Sequence, residues 1–253
     1  MVKIGQLFSS KSQSCPICGT GNSAKESRPI PLRHPVPRAI LASLCKTCGE
    51  NIPWIAYPAC RVCGRAERCG DCARRTKRHY EASRCAVRYD GRMKDWLALY
   101  KYRGDEGLEN ALAAMLAFAY ERLSDATGSA FQRITAVPLA PERLQDRGFN
   151  QAEKLARRLA EWYGLSYSPV LSRLRHTEKQ SLKTRRSRIT DMKGNFAAEA
   201  EALFSGSESP VRLLIVDDVY TTGSTLDECA RVLREAAEGE GGIDIFGLMW
   251  ARS

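Results

Sequence analysis

The chain has no apolar stretch long enough to cross a bilayer. The longest, Ala111–Tyr120, falls well short of the roughly 20 residues a spanning helix needs. The opening residues, MVKIGQLFSSKSQS, lack the apolar core of a secretory signal. Together these absences lead us to expect a cytoplasmic protein without a transmembrane segment, in a compartment where thiols stay reduced. No G-x-G-x-x-G occurs, and no Lys follows the glycine of the one hydroxyl-rich loop, so a Walker A site and a Rossmann fingerprint are both excluded.

A chain of 253 residues suffices for one medium α/β domain plus a small module. Its net charge of +10 is unevenly spread. Residues 1–130 carry 21 Lys and Arg against 12 Asp and Glu, whereas residues 131–253 carry 18 against 17. Two zinc ions on eight thiolates would leave roughly +5 in the first half. That remainder suits a polyanion, although a merely basic soluble protein has the same balance.

Eight of the ten cysteines form C-x-x-C pairs: Cys15/Cys18, Cys45/Cys48, Cys60/Cys63 and Cys69/Cys72. In three of them a glycine follows directly (Gly19, Gly49, Gly64), as a tight metal knuckle requires. Two pairs make a tetrahedral four-cysteine site, so four pairs predict two structural Zn²⁺ sites with no position open to substrate. Sequential and crossed pairings both fit the spacing. Between residues 20 and 60 the composition is polar and proline-rich, which predicts that metal rather than an apolar core holds this region. Cys85 and Cys229 fall outside the pattern, and Cys229 shares the apolar face of the last helix.

Basic residues follow the last knuckle: Arg74, Arg75, Lys77 and Arg78. They suit nucleic-acid phosphates or, more plainly, a solvated linker. Residues 85–90 alternate as a strand, and Met93, Trp96, Leu97 and Tyr100 recur at helical spacing up to Gly104. Here Tyr100 and Tyr102 interleave with Lys101 and Arg103, which suits stacked single-stranded bases. A helix C-terminus that attracts cations accounts for the same residues. A second helix, about 108–123, carries Leu112, Met115, Leu116 and Ala119 on one face and should pack on the following sheet.

Residues 134–139 read as a buried strand, followed by a proline-stiffened loop with Arg143 and Arg147 and a helix over about 150–162. Residues 170–174 read as the next core strand. A strongly basic loop after it contains Lys183 and Arg186, and is long enough to close over a site or to hold a nucleic-acid backbone. The segment Val211–Thr225, VRLLIVDDVYTTGST, gives a buried strand, the acid pair Asp217–Asp218, and a loop of Thr221, Thr222, Gly223, Ser224 and Thr225 before a helix. Backbone N–H groups at such a helix start favour a phosphate, and two adjacent carboxylates can accept from a vicinal diol. A helix cap behind two solvated acids is the plainer alternative. Residues 243–251 close the chain as a final strand. The order of elements predicts a parallel sheet with helices on both faces and ligands at the strands' carboxyl ends.

Val211–Thr225 resembles the 5-phosphoribosyl 1-diphosphate (PRPP) motif of type I phosphoribosyltransferases. That resemblance implies that Asp217 and Asp218 hold ribose, that Thr221 through Thr225 hold the 5′-phosphate, and that Arg143 and Arg147 face the diphosphate. The cysteine pairs, KDWLALYKYRGD, VPLAPERLQDRGFNQAEKLA and VDDVYTTGST together closely resemble the ComF family of bacterial competence proteins. Asp191 departs from that pattern, standing where Asn is expected. The resemblance implies an α/β, type I phosphoribosyltransferase-like sheet preceded by a Cys-rich double zinc ribbon. Its division would be a zinc module over 1–80, a bridging strand and helices over 81–130, and the phosphoribosyltransferase-like domain over 131–253. It further implies single-stranded DNA handling in natural transformation, beside an uptake channel and a helicase-like partner. No glutamine-amidotransferase domain accompanies the motif, because the cysteines are paired for metal. Two functions stay open: a DNA-handling protein that binds PRPP or a related phosphorylated ligand, and a Mg²⁺-dependent phosphoribosyltransferase acting on a base or amine.

Overall fold

The computed structural model describes residues 14–21, 32–75, 77–128, 130–174, 194–199, 201–204, 210–239 and 241–253. Its first half contains α1 (Pro35–Ala42), α2 (Lys46–Glu50), α3 (Gly70–Arg74), β1 (Ser83–Arg88), α4 (Gly91–Arg103) and α5 (Glu106–Thr127). Next come β2 (Arg133–Ala136), α6 (Pro141–Arg147), α7 (Gln151–Tyr163), β3 (Ser166–Tyr167) and β4 (Leu171–Arg173). The chain ends with β5 (Phe196–Ala198), α8 (Glu201–Phe204), β6 (Val211–Tyr220), α9 (Ser224–Ala236) and β7 (Ile243–Arg252).

Five strands form one parallel sheet in the order β1-β7-β6-β2-β3. At its centre β6 has Leu213, Leu214, Ile215 and Val216 all fully buried, as expected of a strand covered on both faces. Ile134 of β2 and Phe246 of β7 are its partners at Leu214. On one face α5 and α7 pack with Leu214, Val216 and Leu248, and on the other α9 packs with Leu213, Ile215 and Met249. Gly247 of β7 lets α9 approach closely, because a Cβ there would stand 2.4 Å from Leu226 Cδ2.

The run Ala111–Ala119 is buried on every side, rather than along one stripe. Helix α5 is sandwiched between the sheet, α1 and α7, and a helix apolar all round belongs in such a place. Its two buried acids are fully engaged. Glu109 meets Lys154 and Arg158, each at 3.0 Å. Glu121 accepts from the backbone N–H of Arg33 at 2.9 Å, that of His34 at 3.1 Å and the Tyr163 hydroxyl at 2.9 Å.

These contacts correct the expectation for the N-terminal region. Leu32, Leu41, Leu44 and Ile52 are buried in the same core as α5, so apolar packing holds this segment alongside any metal. Three further expectations change. Residues 171–173 do not join the parallel sheet but pair antiparallel with Phe196–Ala198, forming a separate two-stranded flap. The sheet edge is taken instead by β3, whose two residues are too few to leave a periodic signal. The proline-stiffened segment is helical, since Pro141 occupies a first-turn position where its missing N–H costs nothing. The basic loop with Lys183, Arg186 and Asp191 lies outside the described residues.

Candidate functional site

The carboxyl ends of β2, β6 and β7 open into a cavity of about 390 Å³, within the range of small-molecule sites. Along its floor run Asp217, Asp218, Val219, Tyr220, Thr221, Gly223 and Thr225. Gly223 has φ +77°, the left-handed region that glycine alone adopts cheaply, and a Cβ there would stand 2.1 Å from Tyr220 Oη. Two independent constraints therefore require glycine. Thr222 and Ser224 turn away from the cavity and share a hydrogen bond of 2.9 Å, which leaves Thr221 and Thr225 as the loop's lining hydroxyl residues. Helix α9 starts at Ser224, and its first-turn N–H groups have no acceptor within the helix.

The acid pair is electrostatically asymmetric. Asp218 Oδ2 accepts from Gln151 Nε2 at 3.0 Å and forms an ion pair with the Lys101 ammonium. Burial acts to raise Asp218, but Lys101 and Gln151 outweigh it and hold this carboxyl below its usual range. At Asp217, burial and then the charge of Asp218 outweigh the Asp218 N–H and the charges of Lys101 and Arg173, and push the carboxyl up to about 8.

Three arginines line the cavity: Arg143 and Arg147 from α6, and Arg173 from β4. Burial lowers both Arg147 and Arg173, with Arg143 adding repulsion to each. An anion would relieve that repulsion, and guanidinium forks match phosphate oxygens. Sequence reasoning placed Arg143 and Arg147 here. It missed Arg173 and Gln151, which sit on elements whose only visible pattern is structural.

The residues expected to contact nucleic acid are dispersed. Lys101 lies inside the cavity on Asp218. Tyr100 is fully buried, its ring 5.5 Å from that of Phe149, so it offers no face to a base. Tyr102 is 90% exposed. Arg103 borders a second cavity, about 500 Å³, shared with Leu99 and the first cysteine knuckle. Arg75 donates to the Thr222 carbonyl at 2.9 Å, and Arg78 donates to the Tyr80 carbonyl at 2.7 Å. Lys77 is exposed, and Lys183 and Arg186 fall outside the described residues.

The cysteines gather as the sequential pairing predicts. Cys15, Cys18, Cys45 and Cys48 form one group, and Cys60, Cys63, Cys69 and Cys72 another, with all sulfurs of a group within 4.8 Å of one another. Cys18 and Cys45 Sγ are 3.6 Å apart, and Cys63 and Cys69 Sγ 3.5 Å. A tetrahedron with Zn–S bonds of about 2.3 Å has edges of about 3.8 Å, so the donor set fits a tetrathiolate metal. The Cys48 N–H donates to Cys45 Sγ and the Cys63 N–H to Cys60 Sγ, each at 3.5 Å. Bonds from Thr20 push Cys18 down to about 6. Burial acts against Cys69, but the Cys72 N–H and the Cys63 thiol bring it down to about 7. Burial pushes the other way at Cys45, Cys48, Cys63 and Cys72, so ionising all four thiols of a group would depend on the charge of a bound metal.

No family model matches the chain. It is 30% identical over 210 residues to the competence protein ComFC of Streptococcus pneumoniae, across 81% of this chain and 87% of that protein. To the competence protein ComFC of Bacillus subtilis it is 29% identical over 204 residues, or 76% and 78% of the two chains. To the DNA utilization protein YhgH of Escherichia coli K12 it is 29% identical over 213 residues, or 75% and 90%. Among the described residues no helix is long and apolar enough to cross a membrane.

Proposed function

The chain belongs to the ComF family of competence proteins, and from that premise we propose that it binds PRPP, or a related ribose 5-phosphate ligand, while handling single-stranded DNA during uptake. One observation carries the ligand: a single cavity brings together Thr221, Gly223 and Thr225 of the loop, the acid pair and three arginines. The loop and the start of α9 take the 5′-phosphate. Asp217 and Asp218 accept from the ribose hydroxyls, and Arg143, Arg147 and Arg173 face the diphosphate, with Mg²⁺ accompanying it. The relatives' names, competence and DNA utilization, support the DNA role. Exposed Tyr102, Arg103, Arg74 and Lys77 would meet the strand, and a helicase or channel component of the uptake machinery would deliver it in the cytoplasm. In this reading, residues 1–80 act as the zinc module, 81–130 as the bridge and 131–253 as the ligand domain.

The same cavity favours a second reading, in which bound PRPP is turned over. The C1–O bond would break with its electron pair leaving on the diphosphate, and a base or amine nitrogen would bond to C1 and release its proton. Asp217 and Asp218 would steady the ribose as positive charge develops.

Calorimetric titration of the zinc-loaded protein with PRPP–Mg²⁺, and separately with short single-stranded DNA, tests the proposal. Saturable PRPP binding that is lost in Asp218→Asn, together with salt-sensitive DNA binding, is expected. Absence of PRPP binding in the wild type would overturn the ligand assignment. PRPP consumption that depends on an added base would decide for turnover.

A further inference from the structure

The second cysteine site is joined to the phosphate loop. Cys72 lies in α3, and the chain leaves that helix at Arg75. Arg75 Nη2 donates to the Thr222 carbonyl at 2.9 Å, while its Nη1 lies 3.6 Å from Oδ2 of Asp227, in the first turn of α9. Asp227 Oδ1 also accepts from the His79 backbone N–H at 2.9 Å. Tyr80 and Tyr220, both buried, share a hydroxyl–hydroxyl bond of 2.7 Å. Tyr220 is the residue that sits directly against Gly223. From the knuckle's own turn, Arg65 reaches the carbonyl of Ser253, which lines the cavity, at 3.3 Å.

The first cysteine site has a different neighbourhood. Its knuckle borders the second cavity with Leu99, Arg103 and Leu108, and Pro16 lies against Gly107. None of the described bonds links it to residues 220–227.

We propose that the second cysteine site, with its metal bound, is a positioning element for the phosphate loop, acting through Arg75 and Tyr80. Arg75 fixes the Thr222 carbonyl and the first turn of α9 from outside the cavity. Tyr80 fixes the Tyr220 ring beneath Gly223. Both residues follow Cys72 within eight positions, so the metal anchors one end of this strap and β1 anchors the other. Arg75 is thereby a loop residue, although its sequence context suggested a nucleic-acid contact. This inference rests on the reading of the cavity as a phosphate site.

The test uses the zinc-loaded full chain, with zinc counted colorimetrically, PRPP–Mg²⁺ affinity by calorimetry, and hydrogen exchange at amides 222–226 by mass spectrometry. Arg75→Ala should keep both zinc ions, weaken PRPP about tenfold and speed exchange in the loop. Arg75→Lys, which can still donate to the Thr222 carbonyl, should recover part of both. Cys69→Ser should lose one zinc and reproduce the Arg75→Ala effects. Cys18→Ser should also lose one zinc but leave PRPP affinity within about twofold. Equal loop effects from Cys18→Ser and Cys69→Ser, or unchanged loop exchange in Arg75→Ala, would overturn the proposal. If Cys69→Ser does not fold, the two Arg75 variants decide alone. The exchange measurement needs no ligand, so a failure of the PRPP assignment would appear as wild-type protein that binds no PRPP yet still responds to Arg75→Ala.

Discussion

Lys101, near the end of α4, places its ammonium on Oδ2 of Asp218, at the end of the central strand. Both groups are largely buried, so the pair is shielded from salt, and neither can lose its partner cheaply. With Lys101 and Gln151 in place, Asp218 sits below its ordinary range, so its contribution to stability is present above the unfolded pKa and is lost as pH falls through the folded one. Lys101→Met should lower stability at pH 7 by about 1–3 kcal/mol. In the Asp218→Asn background the same substitution should cost much less. Urea unfolding of the four proteins measures this coupling, and additive costs would contradict the pairing.

Asp217 titrates in the opposite sense. Its carboxyl is pushed up to about 8 from an ordinary 3.8. Between those values the folded protein keeps a proton that the unfolded chain releases, so stability falls as pH rises through that window. Asp217→Asn removes the charge, and its melting temperature should match the wild type near pH 4 and exceed it by pH 8. Meanwhile PRPP affinity should fall most above pH 8, where the wild type carries a carboxylate and the amide accepts from the ribose diol less well. Melting curves of the ligand-free proteins check this, and a constant difference across pH would contradict it.

At Gly223 any side chain meets both a left-handed backbone and the Tyr220 ring. Gly223→Ala should cost more than about 1 kcal/mol of stability and abolish PRPP binding through displacement of the loop. Thermal melting and calorimetry on one preparation read both effects. Intact binding would show that the loop tolerates a second arrangement.

The thiols should fall into two classes. Eight lie in the two metal-site groups, where even the buried Cys15, Cys48 and Cys63 sit on knuckles that loosen once a metal leaves. Cys85 and Cys229 are instead buried in the sheet and α9, and burial pushes Cys85 up to about 12 and Cys229 well above its usual value. Under native conditions with a chelator present, a chromogenic disulfide should titrate eight thiols and release two zinc ions. The last two should react only on unfolding. Because Leu41 and Leu44 pack with α5, the metal-free protein should keep most of its helical circular dichroism. Ten fast thiols would mean that the core opens when the metals leave.

What the sequence disclosed and what it hid divide along physical lines. The Val211–Val216 strand, the knuckle spacing and the glycine loop are local patterns, and local patterns survive in sequence. The run Ala111–Tyr120 was legible as apolar, but its full burial depends on α1 and α7 arriving from either side. Tyr100 and Tyr102 look alike in YKYRGD, yet one helical step of two residues sends the first into the core and the second into solvent. Arg173 and Gln151 reach the cavity only through tertiary folding, which brings them to the acid pair although they lie 45 and 67 residues before Asp218 in the chain.

That difference between the two tyrosines gives a test of the proposed DNA contact. Tyr102 is exposed on the last turn of α4, beside Arg103, so a base can stack on its ring while the guanidinium meets a phosphate. Tyr102→Ala should weaken single-stranded DNA binding about tenfold, the cost of one lost base–aromatic stack, with little change in melting temperature. Arg103→Ala should make the salt dependence shallower by about 0.7 in the slope of log affinity against log salt, as one lost phosphate contact requires. Tyr100→Ala, by contrast, should cost about 3–5 kcal/mol of stability through the cavity it leaves. Any DNA effect of Tyr100→Ala should track the fraction unfolded. Fluorescence anisotropy at several salt concentrations separates these outcomes. If Tyr102→Ala and Arg103→Ala both bind DNA as the wild type does, this end of α4 is not where the strand lies.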